Sequence, residues 1–216
     1  ASGVAHEINN PLAAILGLSE LIQMENSTPG VTEDARKIQD AALRAAKVVQ
    51  NLLSFARKSE PEKRHRDIAP VVDRALLLKV SDLKLGNIQV TTDHSEGVPP
   101  TMVDDLQIIQ VMLNILTNAE QAIKSRQGPG EMTITTKLVN DIIRISVSDD
   151  GLGIPAEHLN SIFDPFFTTK EVGDGTGLGL SICYGIVRGH GGEMWVESAQ
   201  GEGATFHTAL PVLPAE

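Results

Sequence analysis

Several short segments hold residue types that can do chemistry. The first is His6-Glu7-Ile8-Asn9-Asn10-Pro11-Leu12. With Ile8 on an apolar helical face, His6 lies two positions back and about 200° round, toward solvent. A neutral imidazole is a nucleophile near pH 7, and Glu7 beside it can accept the proton it loses. Asn10 falls one turn on, on the His6 face. Pro11 inside the helix is expected to kink it. An ordinary surface histidine near a helix end fits the same residues.

Asn114 and Asn118 sit four apart in an otherwise apolar helical run, so they share a face. Helix interiors disfavour asparagine, which suggests a polar task such as lending an amide oxygen to a metal; two solvated residues are the plain alternative. In Val147-Ser-Asp149-Asp150-Gly151-Leu-Gly153 a strand runs into an acid and two glycines. Asp149 can accept a hydrogen bond from an exocyclic amine, and the glycines let a ligand approach; a simple turn is the alternative. Asp174-Gly175-Thr176-Gly177-Leu178-Gly179 places alternating glycines before a helix, free N–H groups suited to phosphate. Gly201-Glu-Gly203-Ala-Thr205-Phe206 reads first as a hairpin turn. The segment 162–170 carries three of the five Phe residues and ends on Lys170.

The elements that must position these groups have two periods. In residues 1–56, Ile8, Leu12, Ile15, Ser19 and Ile22, then Ile38, Ala42, Ala45, Val49 and Leu52, repeat at steps of four and three. Two helices with Asn26–Gly30 as connector and Thr32 as N-cap follow, antiparallel because the connector is short. Each hides only one stripe, so a four-helix arrangement through a homodimer is expected. Residues 57–66, charged and containing Pro61, read as a linker. Beyond Asp67 the pattern predicts helices over 70–80, 105–124 and 179–187. It predicts strands over 88–92, 132–137, 142–147, 194–196 and 204–210, an α+β layer with helices on one face.

The chain has 216 residues and a formal net charge of −10, which argues against a nucleic-acid module. Apolar residues make up 41%, enough for real cores. No run is long enough for a membrane span. The single Cys183 excludes an internal disulfide and fits a reducing compartment. The start lacks both a signal peptide and an initiator Met, and the second helix overruns the first; an excised piece of a longer protein is expected.

In order and spacing, these segments resemble the H, N, G1, F, G2 and G3 boxes of sensor histidine kinases of two-component systems, over about residues 3–211. The histidine motif is similar to that of the nitrogen-regulation type. The resemblance implies a dimerisation and histidine-phosphotransfer hairpin over 1–60, a four-helix bundle in the homodimer. It implies, over 61–216, an ATP-binding α/β sandwich of the gyrase and heat-shock-chaperone (GHKL) type, with a mixed sheet. His6 is then the phosphoacceptor and Glu7 its acid–base neighbour. Asn118 is the Mg²⁺ ligand, supported by Asn114. Asp149 meets the adenine amine, Gly151 and Gly153 shape that wall, and Thr205 lies near it. Gly175, Thr176, Gly177, Leu178 and Gly179 border the phosphates. Asn10 matches the position that helps water attack a phosphorylated partner, which is a response regulator receiver domain.

Two departures stand out. Many relatives carry a basic residue where this chain has Gln121, so Lys170 is a candidate for phosphate neutralisation. The lid is short, with four residues between Lys170 and Gly175, and faster nucleotide exchange is expected. A cytoplasmic location is implied, without nucleic-acid or membrane contact from this piece; the full-length protein is either soluble or anchored upstream. Rival readings are an ATPase without a phosphoacceptor, a degenerate scaffold, and a kinase whose phosphatase activity dominates.

Overall fold

The computed structural model describes residues 2–24, 28–56, 62–170 and 176–214; within 2–11, at 29, 44, 47 and 48, and over 50–56 it describes the helix but not the side chains. The chain divides into two compact units: Ala1–Ser59 with Phe166–Leu178, and Glu60–Pro165 with Gly179–Glu216.

In the first unit, α1 (Ser2–Met24) and α2 (Pro29–Ala56) form a hairpin. Small residues make the seam: Ser19, Ala35 and Ala42 are buried. Gln39 links the two helices, accepting from Gln23 Nε2 at 3.2 Å and donating to Glu20 Oε1 at 3.3 Å. Ile15, Leu18, Leu21, Met24, Val31, Ile38 and Leu43 stay exposed, an apolar surface that one hairpin cannot hide. The expected N-cap at Thr32 is corrected: α2 already starts at Pro29, a residue suited to a first helical position, and Thr32 N–H donates inside the helix to Thr28 O at 3.1 Å. Helix α1 is assigned without a break through position 11.

The second unit starts with β1 (Arg64–Arg66), α3 (Ile68–Leu85), β2 (Ile88–His94), β3 (Thr101–Val103) and α4 (Asp105–Arg126). Then come β4 (Gly130–Val139), β5 (Ile142–Asp149), α5 (Gly179–Gly189), β6 (Glu193–Ser198) and β7 (Ala204–Pro211). The main sheet runs β2-β4-β5-β7-β6; β2 is parallel to β4 and the other pairs are antiparallel, so the sheet is mixed as expected. Strand alternation puts Met132, Ile134, Ile143, Ile145 and Val147 on one face, all buried. Helix α4 supplies Ile108, Val111, Met112, Ile115, Leu116, Ala119 and Ile123 to the core at helical spacing.

Local chemistry sets the boundaries. Asp104 caps α4, its Oδ1 accepting from Leu106 N–H at 3.1 Å and Gln107 N–H at 3.2 Å, worth about 1 kcal/mol. Asn140 and Asp141, at φ 51° and 61°, make the two-residue turn of the β4–β5 hairpin. The linker reading of 57–66 is corrected at its end, because Arg64–Arg66 pairs antiparallel with Thr101–Val103. Residues 57–61 lie outside the described residues. No described helix is long and apolar enough to cross a membrane.

Candidate functional site

Asp149 ends β5, a central strand, on the core-facing side, and it is 6% exposed. Its Oδ1 accepts the Gly151 N–H at 2.9 Å. Burial pushes the carboxyl up to about 6, an effect that the Gly151 and Ala204 N–H groups oppose and the Asp150 carboxylate reinforces. A desolvated acceptor at the mouth of a glycine turn suits a neutral N–H donor, such as the amine of a purine.

Three glycines explain how that wall is built. A Cβ on Gly151 would stand 2.7 Å from Ala122 Cβ and 2.8 Å from Ala122 C, so the loop after Asp149 lies directly on α4, one turn beyond Asn118. Gly153, at φ +67°, leaves a Cβ only 2.0 Å from Ala199 O. Gly203, at φ +79°, leaves one 1.9 Å from Asp149 O. The 199–203 hairpin loop is therefore pressed onto the 149–153 loop with no room for side chains. Ser198 stitches the two together: its Oγ accepts from Ile154 N–H at 2.8 Å and donates to Gly203 O at 2.6 Å.

Asn114 and Asn118 are half-buried on α4. Asn114 Nδ2 donates to Gly179 O at 3.3 Å and lies 3.5 Å from Cys183 Sγ, so this amide ties α4 to the start of α5. Cys183 is fully buried, and burial pushes its thiol up to about 12, out of reach of thiolate chemistry at neutral pH. The basic groups at the end of α4 are engaged: Lys124 with Glu120 at 2.6 Å and Arg126 with Asp150 at 2.7 Å. The second unit thus brings Asn114, Asn118, Asp149, Gly151, Gly153 and Gly179 onto one connected stretch.

Other expected residues stand elsewhere. Thr205 is corrected by strand parity: Ala204 pairs with Asp149, while Thr205 faces the opposite side of the sheet and donates to Ser148 Oγ at 3.0 Å. Lys170, Thr176, Gly177 and Leu178 belong to the first unit. There Phe166 N–H donates to Gly177 O at 2.9 Å, and Gly177, at φ +64°, lies so close to Phe166 that a Cβ would sit 2.3 Å from its carbonyl carbon. Gly175 lies outside the described residues, as do the side chains of His6, Glu7 and Asn10; those three positions fall in α1. A cleft of about 350 Å³ sits beside the start of β2 and β4; Lys84, Asn87, Glu131 and Asp150 are among its lining residues, and the asparagine pair is not. Sequence reasoning missed Ser198, Ala204 and the role of Gly203, because each acts through a contact set by strand pairing.

The Asp149 shift predicts a pH signature. The folded state holds this proton more tightly than the unfolded chain, so the group's contribution falls as pH rises from about 4 to about 6 and is flat above. For a shift from 3.8 to about 6, this amounts to about 3 kcal/mol at most. Thermal melts of wild type and Asp149→Asn from pH 4 to 7.5 should show wild type losing ground to the variant across that window. A gap that ignores pH rules out the desolvated carboxyl.

Comparisons with known proteins bear on both units. Residues 1–61 match the model described as His Kinase A (phospho-acceptor) domain. Residues 103–214 match the one described as Histidine kinase-, DNA gyrase B-, and HSP90-like ATPase. The chain is 35% identical over 98% of its length to Sensor protein FixL of Bradyrhizobium diazoefficiens, covering 43% of that protein. It is 36% identical over 98% of its length to Sensor histidine kinase ZraS of Escherichia coli strain K12, covering 45%. It spans under half the length of both relatives. Among solved structures, histidine kinase ThkA in complex with response regulator protein TrrA aligns with a TM-score of 0.72 and 27% identity, over 99% of this chain and 61% of that one.

Proposed function

Since this chain belongs to the sensor histidine kinase family, we propose that it binds ATP on the second unit and transfers the γ-phosphoryl group to His6. The observation that carries this reading is the buried, glycine-walled Asp149 carboxylate beside the asparagine-bearing helix, in a chain whose residues 1–61 match a phospho-acceptor domain. Asp149 accepts the adenine amine, and Gly151 and Gly153 let the ring approach. Asn118, with Asn114 bracing α5 behind it, offers an amide oxygen to Mg²⁺, an oxygen-seeking ion. When bound, Mg²⁺ supplies the positive charge that neutralises the phosphates. Gly175, Thr176, Gly177, Leu178 and Gly179 furnish N–H groups for them, and Lys170 a cation. Thr205 has no part in this assignment.

An imidazole nitrogen of His6 attacks the γ-phosphorus. The N–P bond forms, the bond to the bridging oxygen breaks, and ADP leaves with the electron pair. Glu7 takes the imidazole proton. Such a transfer is mostly positioning and charge stabilisation. The hairpin of 1–60 pairs with a second copy to cover its exposed apolar face, while 61–216 form the nucleotide-binding domain. The phosphoryl group then passes to an aspartate of a response regulator receiver domain in the cytoplasm. Asn10 supports the reverse traffic, orienting water toward a phosphorylated regulator.

Incubation with γ-labelled ATP and Mg²⁺ tests the reading. The expected result is protein-bound label that survives base, is lost in acid, and moves to a receiver domain on chase. Steady ADP release with no label on the protein would instead favour the ATPase without a phosphoacceptor.

A further inference from the structure

Helix α4 is held at its far end by a group that the nucleotide site does not use. The Asp104 N–H donates to His190 Nε2 at 3.0 Å, and His190 Nδ1 lies 2.8 Å from Ile186 O. An amide only donates and a carbonyl only accepts, so Nδ1 carries the proton and Nε2 is bare: the ring is neutral, in one tautomer. It is 2% exposed. Burial, with the Lys63 ammonium adding to it, holds His190 below the usual imidazole range; the Ile186 carbonyl and the Asp104 carboxylate oppose the shift. Arg188, in the last turn of α5, is turned to Glu193 at 3.8 Å.

The same node anchors the chain that enters the second unit. Asp104 Oδ2 accepts from Glu62 N–H at 3.1 Å while Oδ1 caps α4. Lys63 Nζ donates to Gly189 O, in the last residue of α5, at 2.8 Å. Helices α4 and α5 are therefore an antiparallel pair, tied at the two ends of α5 and at the start and middle of α4. One tie is Asn114 to Gly179 O, beside Asn118. The other is Asp104 through His190 to Ile186, about ten residues away along each helix, or roughly 15 Å. Between the ties, Cys183 Sγ lies 3.7 Å from Val111 O and Ile182, Cys183 and Val187 are buried, so packing holds the middle of α5 while the two ties hold its ends.

We propose that His190 is a positioning residue for the nucleotide site, setting the register of α5 on α4 and so the stance of Gly179 toward Asn118. The inference rests on the ATP-binding reading above. Linkage makes it testable in the unmodified protein. If the neutral ring favours ATP, then ATP must make the ring harder to protonate by the same factor.

The experiment is a histidine ¹⁵N NMR titration of the wild-type chain from pH 7.5 to 5, with and without saturating Mg²⁺-ATP, paired with calorimetric ATP affinities of variants. One ring should show a protonated Nδ1 and a bare Nε2, with a titration midpoint that drops when ATP is present. His190→Gln keeps an acceptor for Asp104 N–H and should bind ATP within about twofold of wild type. His190→Asn, whose shorter side chain puts its amide where Nδ1 stands and brings no acceptor to the Asp104 N–H, and His190→Phe should each lose about tenfold, the worth of one hydrogen bond. A midpoint that ATP does not move overturns the proposal, as do affinities that simply follow the melting temperatures of the three variants. If the wild-type chain binds no ATP at all, the functional reading itself fails, which is a separate outcome.

Discussion

His6→Gln is expected to reduce acid-labile label from γ-labelled ATP to background while ATP affinity stays within about twofold, since His6 belongs to the first unit and Asn118, Asp149, Gly151 and Gly153 to the second. Glutamine has helix propensity like its neighbours and no nucleophilic nitrogen, so α1 is retained while the acceptor is lost. The chain has six histidines, which makes the assignment of His6 a real choice. His190 is sealed at 2% exposure and His207 at 9%. His94 has both ring nitrogens engaged, Nδ1 with Thr136 and Nε2 with Asp73 at 3.1 Å each. His65 is exposed on a three-residue strand, and His158 stands beside Glu157 at 3.7 Å. Label that survives His6→Gln would have to map to one of these last two by peptide analysis, and would overturn the phosphoacceptor assignment. Loss of both label and ATP affinity would instead mean that the substitution had damaged the fold.

What the sequence revealed and what it hid divide along one physical line. Long periodic elements were legible: α4 declares itself by apolar spacing, by the Asp104 cap and by two basic residues in its last turn. The β4–β5 hairpin was legible too, because Asn140-Asp141 is a turn pair that tolerates positive φ. Strands β1 and β3 were not, since three residues carry no period and Arg64-His65-Arg66 has the composition of a linker. The same limit separates Asp149 from Thr205. Asp149 is marked locally, by the strand before it and the glycines after it. Which of Ala204 and Thr205 shares its face depends on pairing across 55 residues, and a shift of one position exchanges the faces. His190 stands between glycines, which locally mark only a turn; its partners are Asp104, the cap of α4, and Ile186 of α5, distant in sequence from one another.

The second large effect is expected at Gly203. Gly203→Ala should lower stability by about 3 kcal/mol or more, from roughly 1 kcal/mol for a side chain at positive φ and the rest from overpacking. That corresponds to a fall in melting temperature of about 6–12 °C for a chain of this length. The added Cβ would meet Asp149 O at 1.9 Å, Asp149 C at 2.9 Å and Asp150 Cα at 3.1 Å. These are backbone atoms at the end of a strand flanked on both sides, so they cannot swing aside as a side-chain tip would. The 199–203 loop must lift instead. Lifting breaks the Ser198 bonds to Gly203 O and Ile154 N–H, and it opens the wall beside Asp149 to water. A hydrated Asp149 falls back toward the ordinary carboxylate range and offers a weaker, competed acceptor, so ATP affinity should drop about tenfold with it. Gly201→Ala is the control two residues away: its φ is +86°, yet nothing lies within 4 Å of its Cβ. That variant carries the conformational cost alone, about 1 kcal/mol, and should bind ATP as wild type does. If differential scanning and calorimetry give the two alanines the same loss, close packing of the two loops is not what shapes the site. If Gly203→Ala is destabilised but binds ATP normally, Asp149 is not the adenine acceptor.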